Sequence, residues 1–226
     1  EDDGIRIKAT TTQAFAEKNP DLRRRLPVLA AAIENIAHFQ IRNKGTVGGS
    51  IVNADPASEL PAMSLLLDAE LEIRSTSQTR TIPAEELFIT YMTTTLEPDE
   101  VLASILFKTP PAGSGWGLHE VARRAGDFAL VGSAAILALD EQGKCTYARV
   151  VLFGVAATPV RAPEVEETLV GAVCSEELIA SAAASVTALI DPESDVHVTE
   201  AYRARTAQVL TARALKDAWN MATGAA

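Results

Sequence analysis

Residues 36–61 read IAHFQIRNKGTVGGSIVNADPASELP, and the chain is best understood outward from this stretch. Gly45, Gly48 and Gly49 fall within five residues, flanked by the small side chains of Thr46 and Ser50. A backbone so free of side chains can turn sharply with its N–H groups exposed, as a phosphate requires, or can serve as a tight structural turn. The G-x-x-G-G spacing matches neither the dinucleotide-binding G-x-G-x-x-G nor the P-loop, so spacing alone leaves both readings open. Asp55-Pro56 then predicts a helix over 56–67, with aspartate as cap and proline in the first turn. Ser58 and Glu59 follow on that turn.

Four words occur in order along the chain: QIRNKGTVGGS at 40–50, NADPASELPA at 53–62, LEPDEVL at 96–102 and EVARRAGDFAL at 120–130. Together they resemble the FAD-binding medium subunit of the molybdenum hydroxylases. This is the family of xanthine dehydrogenase, carbon monoxide dehydrogenase and bacterial N-heterocycle dehydrogenases. The wording is more similar to the carbon monoxide and nicotine dehydrogenase branch than to the fused xanthine oxidases.

Composition fits a soluble globular chain: 226 residues, 47% hydrophobic, with a formal net charge of −10. Such an acidic chain is a poor partner for nucleic acid or an anionic membrane. No apolar run approaches the length of a membrane span and no leader pattern is present, so a cytoplasmic location is expected. Cys145 and Cys174 are far apart in sequence, and His38, His119 and His197 are scattered. No metal site is readable, and any redox metal belongs on another chain.

Residues 4–10 alternate as a half-buried strand. Helices are predicted over 12–18, where Asn19-Pro20-Asp21 interrupts, and over 27–37. After the glycine stretch and its helix come strands at 70–74 and 79–82, a brief helix at 83–88 and a strand at 101–107. The cluster TPPAGSG at 109–115 reads as a joint between domains. Beyond it, strands are predicted at 117–123, 128–139 and 144–155, then helices at 176–190 and 200–221. The last helix distributes its apolar residues over two faces, for the core or for a partner chain.

The fold class is therefore α+β. Through the resemblance, residues 1–110 are expected to form the second lobe of a two-lobed FAD-binding domain. Residues 116–226 are expected to form a small domain with a three-stranded antiparallel sheet and helices. The family carries a first lobe with another glycine-rich loop, which is not found here and is expected to precede this sequence. Two or three charge-assisted hydrogen bonds at about 1.5–3 kcal/mol each do not clearly exceed an association cost of about 4–15 kcal/mol, so that lobe should add its own donors.

The resemblance also implies roles for residues. Gly45, Thr46, Val47, Gly48, Gly49 and Ser50 would direct amides toward the FAD diphosphate. Glu59 would bond the hydroxyls of the cofactor's sugar chain, or else only stabilise the first turn of its helix. Asn53 and Ser58 stand beside it. Ile36 and Leu102 would flank the adenine, or be plain core residues. His119 stands where many relatives have lysine, which leaves its role open. Arg123, Arg124 and Asp127 read as an ion pair in a turn or as groups facing the flavin, and Tyr91 would lie near the flavin ring. None of these is an acid, base or nucleophile; the chemistry would be the cofactor's. The implied function is electron transfer from [2Fe–2S] clusters on a small subunit, supplied by a molybdenum–pterin centre on a large subunit, through FAD to an external acceptor. The alternative is a non-catalytic assembly module with an incomplete flavin site.

Overall fold

The computed structural model describes residues 3–224. β1 (Gly4–Lys8) leads into α1 (Gln13–Lys18), α2 (Pro20–Arg25) and α3 (Pro27–Asn35). Thr12 caps α1 by accepting from the Phe15 N–H. Asn19 caps α2 by accepting from Asp21 and Leu22, with Pro20 in its first turn. Asn19-Pro20-Asp21 is thus the start of another helix as well as an interruption. Next come the single turn α4 (Phe39–Arg42), α5 (Val47–Asn53) and α6 (Glu59–Leu66).

The glycine stretch is therefore the first turn of a helix. The helix expected from residue 56 starts three residues later, because Asp55 forms a separate turn. Its Oδ1 accepts from Ala57 N–H at 2.9 Å and its carbonyl from Ser58 N–H at 3.0 Å. Every residue of α6 is buried, as suits a short helix enclosed on all sides.

β2 (Glu70–Arg74) and β3 (Thr79–Pro83) form the expected hairpin, with Leu71 opposite Ile82. β4 (Phe88–Thr90) and β5 (Thr93–Thr94) make a small ribbon, followed by β6 (Val101–Lys108). β1 finds its partner in β6, Ile7 opposite Ile105, and the first sheet has the antiparallel order β1-β6-β2-β3.

β7 (Gly115–Val121), β8 (Val131–Leu139) and β9 (Cys145–Phe153) are the three long strands of the second sheet, to which β10 (Val160–Arg161) adds a two-residue edge. α7 (Pro163–Leu169), α8 (Glu176–Ser185) and α9 (Glu200–Ala222) follow. Alternation along β8 and β9 sorts their side chains onto two buried faces. Ala134, Ile136, Val151 and Phe153 join the core built by the N-terminal helices. Val131, Ala135, Leu137, Val150 and Leu152 join the core under α7, α8 and α9. The second sheet therefore lies between two layers of helices, and one apolar core runs across both halves of the chain.

Ion pairs reinforce that junction. Arg149 and Arg161 both reach Asp68, at 2.9 and 3.1 Å, and Arg161 also pairs with the buried Glu166 at 2.9 Å. Folding also brings the two cysteines into neighbouring backbone, through the bridge between Lys144 and Val173, and both remain buried free thiols. Among the described residues no helix is long and apolar enough to cross a membrane, and no cluster of metal-ligating side chains is present.

Candidate functional site

The amides of the glycine stretch do not form the expected cradle. Thr46 caps α5 with its hydroxyl oxygen, which accepts from Gly49 N–H at 3.0 Å. Val47 N–H donates to Thr11 at 2.9 Å, Gly48 N–H to Ala9 at 2.9 Å and Ser50 N–H to Thr46 at 3.1 Å. The reason is local: the first turn of any helix has N–H groups without partners inside it, and here the strand-to-helix segment 9–12 lies against that turn and takes them.

The glycines serve close packing. A Cβ on Gly48 would stand 2.4 Å from the Ala9 methyl, and one on Gly45 would stand 2.7 Å from Gln13 Oε1. Val47 and Gly48 lie inside, away from any opening. Thr46 and Ser50 still present their side chains outward.

They face a cavity of about 1400 Å³ bounded by both halves of the chain. Ile36, Gly45, Thr46, Gly49, Ser50, Asn53, Ser58 and Glu59 converge on it, as the sequence words suggested. Val47, Gly48, Leu102 and His119 are not on its wall. Leu102 is packed into the core on β6, and His119, on β7, is paired with Asp217 of α9 at 2.7 Å. Tyr91 and Asp127, weighed earlier, do lie on the wall, as does Arg123.

Other wall residues escaped the sequence reading. Gln13 is 4% exposed, lines the cavity, and has a buried Oε1 without a hydrogen-bond partner. Its only sequence signal is a polar residue at a position that α1 buries. Lys44 brings a cation to the side of the glycine stretch. The far wall comes from Phe128, Leu130 and Gly154 at the ends of the second sheet, together with Arg203 and the 191–197 segment. Arg203 holds that wall in place: its Nη1 donates to the carbonyls of Leu130 and Gly154, and its Nη2 to the Asp195 carboxylate. Phe128 and Leu130 belong to the word at 120–130, but no spacing in the sequence links them to Gly154, Arg203 and the 191–197 segment, because these meet only after the second sheet folds.

Charge on the wall is uneven. Glu59 is 4% exposed, and burial, with Glu120 and Asp55 nearby, pushes its carboxyl up to about 8. Burial also raises Glu120, whose Oε2 has no partner while the group bonds to Asn35.

The site suits a long, mixed ligand. It offers hydroxyl donors at Thr46 and Ser50, a cation at Lys44, an unsatisfied acceptor at Gln13, a carboxyl group at Glu59 and apolar surface at Ile36 and Phe128. Those features fit FAD, which carries a diphosphate, hydroxyls, amine donors and flat rings. They do not amount to an acid–base or nucleophilic constellation.

Comparison with known proteins adds the following. Residues 1–108 match the family model described as the FAD binding domain in molybdopterin dehydrogenase, and residues 116–218 match that of the CO dehydrogenase flavoprotein C-terminal domain. The chain is 38% identical to the 6-hydroxypseudooxynicotine dehydrogenase complex subunit alpha of Paenarthrobacter nicotinovorans, over 98% of this chain and 75% of that protein. It is 32% identical to the carbon monoxide dehydrogenase medium chain of Hydrogenophaga pseudoflava, over 94% of this chain and 74% of that protein. A solved structure of carbon monoxide dehydrogenase from Hydrogenophaga pseudoflava superposes with a TM-score of 0.94 at 32% identity, covering 98% of this chain and 77% of that one. Quinoline 2-oxidoreductase from Pseudomonas putida 86 superposes with a TM-score of 0.90, also at 32% identity, over 96% and 75%.

Proposed function

The chain belongs to the FAD-binding medium subunits of the molybdenum hydroxylases, and on that premise we propose that the cavity between its two halves is where FAD sits. The protein is an oxidoreductase subunit that passes electrons through FAD. We further propose its partners: a large subunit with the molybdenum–pterin centre and a small subunit with [2Fe–2S] clusters. Substrate would be oxidised on the large subunit and would not meet this chain. Bound FAD supplies the step between one-electron carriers and an external acceptor.

This chain's residues bind and orient. Thr46 and Ser50 hydroxyls with the Lys44 ammonium would hold the diphosphate, Asn53, Ser58 and Glu59 the sugar-chain hydroxyls, and Ile36 an apolar ring. Gln13 Oε1 would accept from an amine or hydroxyl. The division at residues 110–115 remains part of this reading, with both sides lining the cavity. A cytoplasmic location is also part of it.

The observation that carries the proposal is the convergence of Thr46, Ser50, Asn53 and Glu59 with Phe128 and Arg203 of the second half of the chain on one large cavity that also holds an unsatisfied buried acceptor. The test is direct. Purified protein, as isolated or after incubation with FAD and desalting, should show flavin absorbance and release FAD on acid precipitation. A chain that carries no flavin and takes up none would instead be an assembly module.

A further inference from the structure

Glu59 is buried beside this cavity with two further carboxyl groups, Asp55 and Glu120, close enough to act on its charge. Glu59 opens α6 at 4% exposure and lines the cavity. Among the described residues it has no ion pair, and its polar partner is its own N–H. Asp55, 6% exposed, sits on the preceding turn and accepts from Ala57 N–H. Glu120, on β7, acts on Glu59 through its charge; one of its oxygens is buried and without a partner, and the group bonds to Asn35 of α3.

The cations on the same wall are occupied elsewhere or stand apart from Glu59. Arg203 is held by Asp195 and two carbonyls, Arg123 lies against the His197 ring at 3.0 Å, and Lys44 sits beside the glycine stretch. A buried carboxylate next to two others and without a counter-charge is costly, and a proton is the cheapest remedy.

We propose that Glu59, with Glu120 beside it, is a proton-holding site at this junction, and that an anionic ligand enters the adjoining cavity together with a proton. The proposal rests on the flavin reading above for the identity of the ligand, FAD, and for its doubly charged diphosphate. The proton comes from solvent and resides on the Glu59 carboxyl; no other bond is made or broken.

The sign follows from Glu59 being raised to about 8 by burial first, then by Glu120 and Asp55. Below that pH the group is a neutral acid and binding is level. Raising the pH through it places a negative charge on the wall of the cavity that a like-charged ligand must enter, so affinity falls. The bound anion lifts the carboxyl further, and binding near pH 8.5 draws a proton in.

The experiment is calorimetric titration of the full chain with FAD between about pH 6.5 and 9, in two buffers of different ionisation heat. Proton uptake should be near zero at the low end and should approach one per FAD at the high end. Affinity should fall by up to about tenfold per pH unit above 8. Glu59→Gln should bind with pH-independent affinity and no uptake. Glu120→Gln, which also serves if the first variant fails to fold, should move the onset to lower pH. FAD binding without proton uptake, or a pH slope that persists in Glu59→Gln, overturns the proposal and leaves the flavin reading standing. If no FAD binds at any pH, the flavin reading and the coupled entry both fail. In the unliganded chain, ¹³C NMR of the carboxyl groups should give a Glu59 midpoint near 8, and an ordinary carboxylate midpoint would overturn the proton site regardless of flavin.

Discussion

Gly48 and Gly49 are neighbours in sequence, yet they have opposite jobs. Gly48 lets α5 press onto the end of β1, where an added Cβ would meet the Ala9 methyl at 2.4 Å and the Ala9 carbonyl oxygen at 2.9 Å. Backbone on that side cannot swing away, so Gly48→Ala should cost about 1–3 kcal/mol in urea unfolding. Gly49 is on the cavity wall, and a Cβ there would meet only the Thr46 hydroxyl, at 2.7 Å. Gly49→Ala should leave stability within about 1 kcal/mol, since alanine favours the helix by a similar amount. It should nevertheless lower the FAD retained after gel filtration, because it disturbs the Thr46 cap. Gly48→Asp would lose flavin as well, through a failed helix contact rather than through repulsion of the diphosphate by a carboxylate. Equal loss of stability in the two alanine variants would refute this division of roles.

At the level of elements, α9 approaches β7 closely in the second half of the chain. A Cβ on Gly117 would stand 2.2 Å from the Ala214 carbonyl oxygen, and one on Gly115 would stand 2.0 Å from that of Ala218. The helix thus lies directly on strand backbone, and Gly117→Ala should push it off at a cost of about 3 kcal/mol. For a chain of this size that is a drop of about 6–12 °C in Tm, measurable by circular dichroism; an unchanged Tm would mean that helix and strand are loosely apposed. The hairpin at 70–83, β6 and β9 were legible in the sequence because each holds one period over several residues, and the last helix because no glycine or proline interrupts residues 200–221. α5 was not, because VGGSIVN carries two glycines that disfavour a helix by about 1 kcal/mol each. Its helicity depends on the Thr46 cap and on segment 9–12 taking its free amides, which no local pattern displays. The cavity divides the same way. The glycine-side wall is written in two consecutive words, whereas on the opposite wall only Phe128 and Leu130 fall in a word, at 120–130, and tertiary packing joins them to Gly154 and Arg203.

Across the whole molecule, the second sheet is the shared centre, with one face belonging to the N-terminal core and the other to the C-terminal helices. A linker at residues 110–115 divides the sheets without dividing the apolar core, so the halves should not unfold separately. The chain has two tryptophans that report on the two sides: Trp116 packs against the N-terminal core and Trp219 against the C-terminal one. Single-tryptophan variants, Trp116→Phe and Trp219→Phe, should therefore show fluorescence midpoints in urea that match each other and the circular dichroism transition. Phe153 offers a sharper version of the test. It is fully buried on the N-terminal face of β9, and its ring lies over Gly132, where a Cβ would stand 2.0 Å from it. Phe153→Ala should cost about 3–5 kcal/mol. Because the core is common, the loss should shift the Trp219 transition as far as the Trp116 transition, although Trp219 lies on the opposite side of the sheet. A shift seen by Trp116 alone would mean that the halves are thermodynamically separate, and that the cavity between them can open without unfolding either one.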